Sequence, residues 1–298
     1  MELNPRKKIV VKRRGDTTNR NLIVSRRQPQ SPRKINVVRR QLQPAVCDDE
    51  YQDMYEIIKA NEAYYQPDKD FLKNQIDINC KMYTILMDWL VDVSVEYNLK
   101  PQTKALYTNY IQRFIGQKVI PRNELQLVGC ACALIASKYE EIDPVTVDDL
   151  TYISDHSFKR EKLIDMEALV LSTLKFDLVA PTCFDFMARF LRVLKIDPEI
   201  ETLANYVCEL SFLDCNTKYL PSQMALSSLT LALDNKTYNK RMLEACSSFK
   251  LNDPEIVECT KYLLNLANKA DESNAVYRLY SDEKNYRVAL IKLKYNYI

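Results

Sequence analysis

An unbroken apolar run near the middle of the chain limits the folds open to this sequence. Residues 127–136 are ten consecutive apolar or small residues. A helix that crosses a bilayer needs roughly 20 such residues, whereas a shorter helix that is apolar all round is a buried one. Several members of the run are small, so neighbouring helices can approach its backbone closely. We therefore predict that this run is the central helix of a helical bundle.

Polar residues mark both ends of this helix, which we place over residues 123–141. Asn123 and Gln126 are spaced as in a capping box that starts the helix after Pro121. At the other end Lys138 suits the negative pole of the helix, whereas Glu140 and Glu141 oppose it. A charge in an unfavourable place indicates either a solvated helix end or a functional contact, and the residues alone leave both open.

Apolar residues recur at helical spacing on both sides of this run. A short helix over residues 147–153 is predicted by Thr146 and Asp149, which form a second capping pattern. The other segments with this spacing are 48–65, 82–97, 103–116, 158–176, 184–194, 200–213, 221–233, 240–249 and 254–270. We see no convincing strand alternation and predict an all-α protein, with two similar five-helix bundles in tandem.

These patterns divide the chain into four predicted parts. Residues 1–46 lack a sustained apolar period, which predicts a disordered basic tail. Residues 47–80 are interpreted as a short helix and a linker, residues 81–180 as the first bundle, and residues 181–298 as the second bundle and its C-terminal segment.

Composition excludes several classes of enzyme. Three glycines, Gly15, Gly116 and Gly129, cannot form a Gly-rich nucleotide loop of the Rossmann or Walker type. His156 is the single histidine, which leaves no Ser-His, Cys-His or multi-histidine site. We therefore predict no catalytic residue, no metal and no cofactor. Nine cysteines without a CxxC pair, and no signal peptide pattern, predict a reducing compartment, the nucleus or the cytoplasm.

Charge is divided unevenly along the chain. Residues 1–46 hold thirteen Lys or Arg against two acids, a net charge of +11, and the remainder holds 29 against 38, a net charge of −9. An acidic body predicts no direct nucleic-acid binding, whereas the basic pairs in the tail indicate contact with nucleic acid or with import machinery. No membrane contact is predicted. Ser31 lies in a Ser-Pro-Arg-Lys sequence, which makes it a candidate phosphorylation site.

Seven motifs along the chain are informative together: MYTILMDWLVDVSVEYNL, YIQRF, LQLVG, ASKYEE, MEALVL, FDLVAPT and KYLPS. In this order and spacing they resemble the cyclin box of mitotic A- and B-type cyclins, and two of them, FDLVAPT and KYLPS, are nearer to the A type. The resemblance covers residues 50–298 and implies two tandem cyclin folds in a non-catalytic regulatory subunit that activates a cyclin-dependent kinase.

The resemblance also implies two protein-binding sites. Kinase contacts map to Lys138 and Glu167, supported by Tyr139 and Glu141. A hydrophobic docking patch, which in the family captures Arg-x-Leu segments of substrates and inhibitors, maps to a second set. That set, called the docking patch below, is Met82, Ile85, Leu86, Trp89, Asp92, Leu125 and Gln126, with Asp92 where the family usually has Glu.

One departure from the family pattern lies beside the docking patch. A-type cyclins usually carry a buried Arg–Asp ion pair at the positions of Tyr83 and Gln112. Loss of one partner alone would leave a buried charge unpaired and lower the stability of the fold, whereas loss of both can leave stability unchanged.

The tail resembles the destruction box of mitotic cyclins only in its minimum form. Arg39 and Leu42 give Arg-x-x-Leu without the following Asn, and would imply contact with ubiquitin-ligase machinery. The alternative to a kinase regulator is a cyclin-fold transcription or adaptor protein, which resembles the core of general transcription factor B. Such a protein should have a basic body.

Overall fold

The computed structural model describes residues 48–194, 196–234 and 250–295. Over these ranges the chain forms α-helices, short 3-10 turns and loops, with no β-strand, which confirms the predicted all-α class. The predicted disordered tail, with Ser31, Arg39 and Leu42, and the helix predicted over 240–249 lie outside the described residues.

Eleven α-helices occur in the described ranges. They are α1 (Asp48–Glu62), α2 (Cys80–Glu96), α3 (Pro101–Gln117), α4 (Leu125–Glu140), α5 (Val147–Ile153), α6 (Arg160–Thr173), α7 (Cys183–Leu194), α8 (Pro198–Leu210), α9 (Pro221–Asp234), α10 (Pro254–Lys269) and α11 (Ala275–Tyr280).

The predicted central helix is α4. It contacts α2, α3, α5 and α6, and every residue from Leu127 to Ser137 is buried. Gly129 shows why small residues are needed along it. A Cβ atom added there would lie 2.8 Å from Leu86 Cδ1 on α2, closer than van der Waals contact allows. The apolar run therefore forms the centre of the first bundle, as predicted.

Two details of the predicted first bundle are wrong, and one is confirmed. Asn123 does not cap α4, because the chain enters that helix through a 3-10 turn at Arg122–Glu124. Leu169 lies in the segment 158–176, whose regularly spaced apolar residues were expected to face inward, yet it is 42% exposed, although Leu163, Met166 and Val170 on the same helix are buried as expected. The Thr146–Asp149 capping box is present at the start of α5.

The second bundle repeats the arrangement around α9. All residues of this helix from Pro221 to Leu233 are buried, and it contacts α7, α8 and α10. Helix α1 also reaches it. Glu62 accepts hydrogen bonds from the backbone nitrogen of Ser222 at 2.9 Å and from its hydroxyl at 2.8 Å. This carboxylate thus satisfies free donors in the first turn of α9.

A buried ion pair joins the two bundles. Lys104 Nζ on α3 lies 2.6 Å from Glu209 Oε2 on α8, with side chains only 5% and 1% exposed. Tyr280 on α11 donates its hydroxyl to the other carboxylate oxygen of Glu209 at 2.8 Å. The two bundles and the C-terminal helix therefore share one buried polar network.

A disulfide also connects the two bundles, between Cys80 at the start of α2 and Cys215 after α8. The spacing of the cysteines in the sequence did not single out this pair, because its members are 135 residues apart.

Helix α11 was not predicted. It spans six residues, too few to show helical periodicity, and it packs on α2 and α8. Its start is set by Asn274, whose side chain accepts a hydrogen bond from the backbone nitrogen of Tyr277.

Candidate protein-binding sites

Lys138 and Glu167, placed apart in the sequence, meet on the surface of the first bundle. Lys138 Nζ at the end of α4 lies 2.6 Å from Glu167 Oε1 on α6. The lysine side chain is 48% exposed and the glutamate side chain 15%. Packing of α4 against α6 sets this geometry, so both charged groups are held in place in the free protein.

Exposed apolar side chains lie at the ends of the same two helices. Tyr139 is 49% exposed, Ile142 just after α4 is 99% exposed, and Phe176 just after α6 is 70% exposed. Large exposed apolar groups beside charged ones are typical of surfaces that bind proteins. Tyr139 was predicted, whereas Ile142 and Phe176 were not, because periodicity ends where a helix ends. Ile142 directly follows the ASKYEE motif and Phe176 is the first residue of the FDLVAPT motif, which was the available signal.

Glu141 lies at the same helix end but contacts α3. Its Oε1 accepts hydrogen bonds from the backbone nitrogen of Lys100 at 2.7 Å and from Thr103 Oγ1 at 2.5 Å. Lys100 also donates its ammonium group to the carbonyl of Glu140 at 3.0 Å. The Glu141 carboxylate therefore holds the end of α4 against the start of α3.

The docking patch forms one side of α2 and the start of α4. Ile85 is 43% exposed, and Met82 and Trp89 are half-buried. Leu86 and Leu125 are buried beneath them, at 6% and 3% exposure. These five residues thus divide into an accessible apolar surface and its support.

Two polar residues border the docking patch. The side-chain carbonyl of Gln126 accepts a hydrogen bond from the Ser157 hydroxyl at 3.1 Å, rather than capping α4. Asp92 forms an ion pair with Arg278 on α11, whose Nη2 lies 3.0 and 3.1 Å from its two carboxylate oxygens. The sequence analysis did not anticipate Arg278, which is 186 residues away along the chain.

Tyr83 and Gln112, at the positions of the ion pair in A-type cyclins, form a neutral contact. Gln112 Nε2 donates to the Tyr83 hydroxyl at 2.8 Å, and both side chains are buried. Burial raises the pKa of Tyr83 well above its usual value, so the phenol stays neutral. Helix α2, which carries the docking patch, therefore packs without a buried charge at this position.

Among the described residues, no cluster of three His, Cys, Asp or Glu could hold a metal ion. Burial raises the pKa values of the Cys130 and Cys132 thiols on α4, which disfavours the nucleophilic thiolate. None of the helices described is both long and apolar enough to span a membrane.

Comparison with known proteins identifies the family. The cyclin N-terminal domain family matches residues 53–179, and the cyclin C-terminal domain family matches residues 181–294. Cyclin-A1-4 of Oryza sativa subsp. japonica is 40% identical over 259 residues, which cover 83% of this chain and 72% of that protein. The chain belongs to the cyclin family, as a mitotic cyclin of the A/B type.

Two further relatives agree with this assignment. The G2/mitotic-specific cyclin-A of Hydra viridissima is 39% identical over 239 residues, covering 78% of this chain and 57% of that protein. Cyclin-A1 of Homo sapiens is 40% identical over 218 residues, covering 71% of this chain and 46% of that protein. The chain thus spans about half the length of several curated relatives it matches.

A solved structure shows the same fold. The viral cyclin from herpesvirus saimiri superposes with a TM-score of 0.64 over 74% of this chain and 98% of that chain, at 23% identity.

Proposed function

We propose that the protein is the regulatory subunit of a cyclin-dependent kinase, which it binds through the first bundle and activates without catalysing a reaction itself. The observation that carries this proposal is the held pair of Lys138 and Glu167 beside exposed apolar side chains. Membership of the cyclin family supports the choice of partner.

Activation in this proposal is conformational. By resemblance to the family, the first bundle packs on the mobile helix in the small lobe of the kinase. Packing brings the glutamate of that helix to the ATP-binding lysine and opens the activation loop. Lys138 and Glu167 bind polar groups of the mobile helix, and Tyr139, Ile142 and Phe176 supply the apolar contact. Glu141 acts indirectly, by positioning the end of α4.

Charge exchange tests the kinase site. We expect Lys138→Glu and Glu167→Lys each to lower activation of a cyclin-dependent kinase at least tenfold in a histone-phosphorylation assay. The double variant Lys138→Glu/Glu167→Lys is the decisive control, since it restores an ion pair between α4 and α6. If the pair binds the kinase, the double variant stays inactive with normal thermal stability. Recovered activation would show that the pair only stabilises the fold, and would refute the site.

The same experiment addresses the partner. Pull-down with a panel of cyclin-dependent kinases should retain at least one kinase on the wild-type protein and lose it on both single variants. Failure to bind or activate any member of the panel would refute the proposed function as a whole.

A second proposed site, the docking patch, recruits substrates and inhibitors through short Arg-x-Leu segments. Ile85, Met82 and Trp89 offer an accessible apolar surface, which supports this use. We expect a peptide of this kind to bind with a Kd on the order of micromolar, because the surface is small. Trp89→Ala should abolish peptide binding measured by calorimetry and leave kinase activation unchanged. Unaltered peptide affinity in this variant would refute the patch.

A regulatory role is proposed for residues 1–46, which lie outside the described residues. Their net charge of +11 supports contact with import machinery, and Arg39 and Leu42 support contact with ubiquitin-ligase machinery. Ser31 is the candidate phosphorylation site within this segment. We propose that the protein acts in the nucleus and the cytoplasm. Deletion of residues 1–46 should alter nuclear accumulation or lifetime in cells and leave kinase activation in vitro unchanged. Loss of activation would contradict this division of roles.

A further inference from the structure

Asp92 is the single carboxylate among the seven docking-patch residues. It follows Trp89 by three residues and Ile85 by seven on α2, which places all three on one helix face. A basic side chain of a segment lying on Ile85 and Trp89 would therefore find its counter-charge at Asp92. Recognition of arginine by this patch depends on whether that carboxylate is free.

The Asp92 carboxylate is already bound by an arginine of the same chain. Arg278 Nη2 contacts both carboxylate oxygens, at 3.0 and 3.1 Å. The other terminal nitrogen, Nη1, donates to the backbone carbonyls of Glu272 at 3.1 Å and Ser273 at 2.9 Å. The guanidinium is thus held by four hydrogen bonds, which makes it a fixed group rather than a loose surface side chain.

Helix α11, which carries Arg278, is itself anchored to α2. Asp88, one turn before Asp92, accepts a hydrogen bond from the backbone nitrogen of Ala275 at 2.7 Å. Val276 and Tyr280 of α11 are buried. Because two carboxylates of α2 both bind the same short helix, the Arg278–Asp92 contact is part of how the C-terminal segment packs.

We propose that Arg278 occupies, from within the chain, the position at Asp92 that the arginine of a docking segment would otherwise take. The docking patch then selects a segment by its leucine and neighbouring apolar residue, and an arginine in that segment adds little to its affinity. The inference rests on the proposed docking function and narrows its ligand class. An incoming arginine must either displace Arg278 or stay in solvent, whereas the leucine and a following apolar residue still meet Ile85, Met82 and Trp89.

The expected effect is moderate. Both partners of the pair are partly exposed, at 42% and 46% for Arg278 and Asp92. Exposed ion pairs contribute little, so freeing Asp92 should raise the preference for arginine by about fivefold. A change of this size is measurable by peptide titration.

The test uses two fluorescent peptides that are identical except for Arg or Ala two residues before the leucine. Each is titrated against the full-length wild type, Arg278→Gln, Arg287→Gln and the double variant Arg278→Gln/Asp92→Asn. Arg287→Gln is the matched control, because it removes one positive charge from a nearby exposed arginine that pairs with Glu283 instead. Circular dichroism and thermal melting check that every variant is folded.

We expect the Arg peptide and the Ala peptide to bind the wild type with affinities that differ by no more than twofold, and to bind Arg287→Gln in the same way. The Arg-to-Ala affinity ratio should rise to about fivefold in Arg278→Gln and return to about one in the double variant. A wild-type ratio of fivefold or more, or no rise in Arg278→Gln, would overturn the inference. If neither peptide binds the folded wild type or the folded Arg278→Gln variant, both the docking patch and the inference about Arg278 are overturned. Kinase activation, measured in parallel, reports separately on the rest of the proposed function.

Discussion

The buried hydroxyl of Tyr83 lies between two hydrogen-bond partners: it accepts from Gln112 Nε2 at 2.8 Å and donates to the backbone carbonyl of Phe212 at 3.2 Å. Beside it, Thr84 Oγ1 donates to the carbonyl of Leu213 at 2.9 Å. A neutral pair inside the first bundle thus also fastens that bundle to the second. The pair is neutral at the two positions where the A-type cyclins that the chain resembles usually carry an Arg–Asp ion pair.

The first prediction concerns the charge state of this pair. Tyr83→Arg should lower the free energy of unfolding by about 3 to 5 kcal/mol, because it places an unpaired charge in the core. Adding Gln112→Asp should recover part of the loss, since the two substitutions together form a pair. Urea denaturation of the four proteins of this cycle measures the coupling. Equal loss in the single and double variants would contradict the prediction.

The second prediction concerns the Lys104–Glu209 pair between the bundles. Lys104→Met should cost about 3 to 5 kcal/mol, because the Glu209 carboxylate would remain buried without its cation. Lys218→Met, which breaks the exposed pair of Lys218 with Glu258, should leave the unfolding free energy almost unchanged, because solvent screens an exposed pair. Chemical denaturation measures both values. Equal effects of the two substitutions would show that the buried pair has no special role.

The third prediction concerns close helix packing. Gly129→Ala should destabilise the protein by about 1 to 3 kcal/mol, because its Cβ would lie 2.8 Å from Leu86 Cδ1, and this overpacking outweighs the better helix propensity of alanine. Gly116→Ala is the control, since the nearest atom to its Cβ would be Phe71 Cβ at 3.5 Å, an ordinary contact. Thermal melting should show a lower Tm for the first variant and an unchanged or higher Tm for the second.

The fourth prediction concerns pH. Burial raises the pKa of Glu62 above its usual value of 4.5, although the hydrogen bonds from Ser222 act in the opposite direction. The folded protein therefore binds this proton more tightly than the unfolded chain does. The resulting stabilisation is present below pH 4.5 and is lost as pH rises through the higher folded pKa.

Glu62→Gln removes this titration. The unfolding free energy of the variant relative to wild type should therefore rise with pH from about 4.5 upward and then level off. Urea denaturation at a series of pH values measures the difference. A difference that stays constant, or falls, would contradict the raised pKa.

The fifth prediction concerns the disulfide. A reducing agent should lower the unfolding free energy by about 2 to 4 kcal/mol, because a cross-link between residues 135 apart restricts the unfolded chain. Cys215→Ser should show the lower value with or without reductant, and serves as the control. If reductant has no effect on the wild type, and intact-mass analysis finds all thiols free, the bond does not form in the protein as purified.

The architecture was predictable because the signals for it are local. Helical periodicity and the small apolar residues of 127–136 predicted α4 and its role at the centre of a bundle. The Thr146–Asp149 pattern predicted the start of α5. Such signals are short in sequence, since a helix face repeats within four residues and a cap is decided within three. Where a helix had ended, as at Ile142, or was short, as in α11, the same signals gave no prediction, and at Leu169 within α6 they predicted the wrong side of the helix.

The partners of the polar side chains were decided by tertiary structure alone. Nothing in the sequence indicates that Glu141 binds the start of α3, that Lys104 meets Glu209, or that Arg278 binds Asp92 from 186 residues away. A charged or amide side chain can be satisfied by many groups or by water, so its residue type does not determine its partner. The partner is set by which helices pack together and by how deeply the side chain is buried. Burial then makes a wrong or missing partner costly in free energy of folding. The sequence by itself determined the longer helices and the family; packing determined which of the predicted binding residues face outward and which are already engaged within the chain.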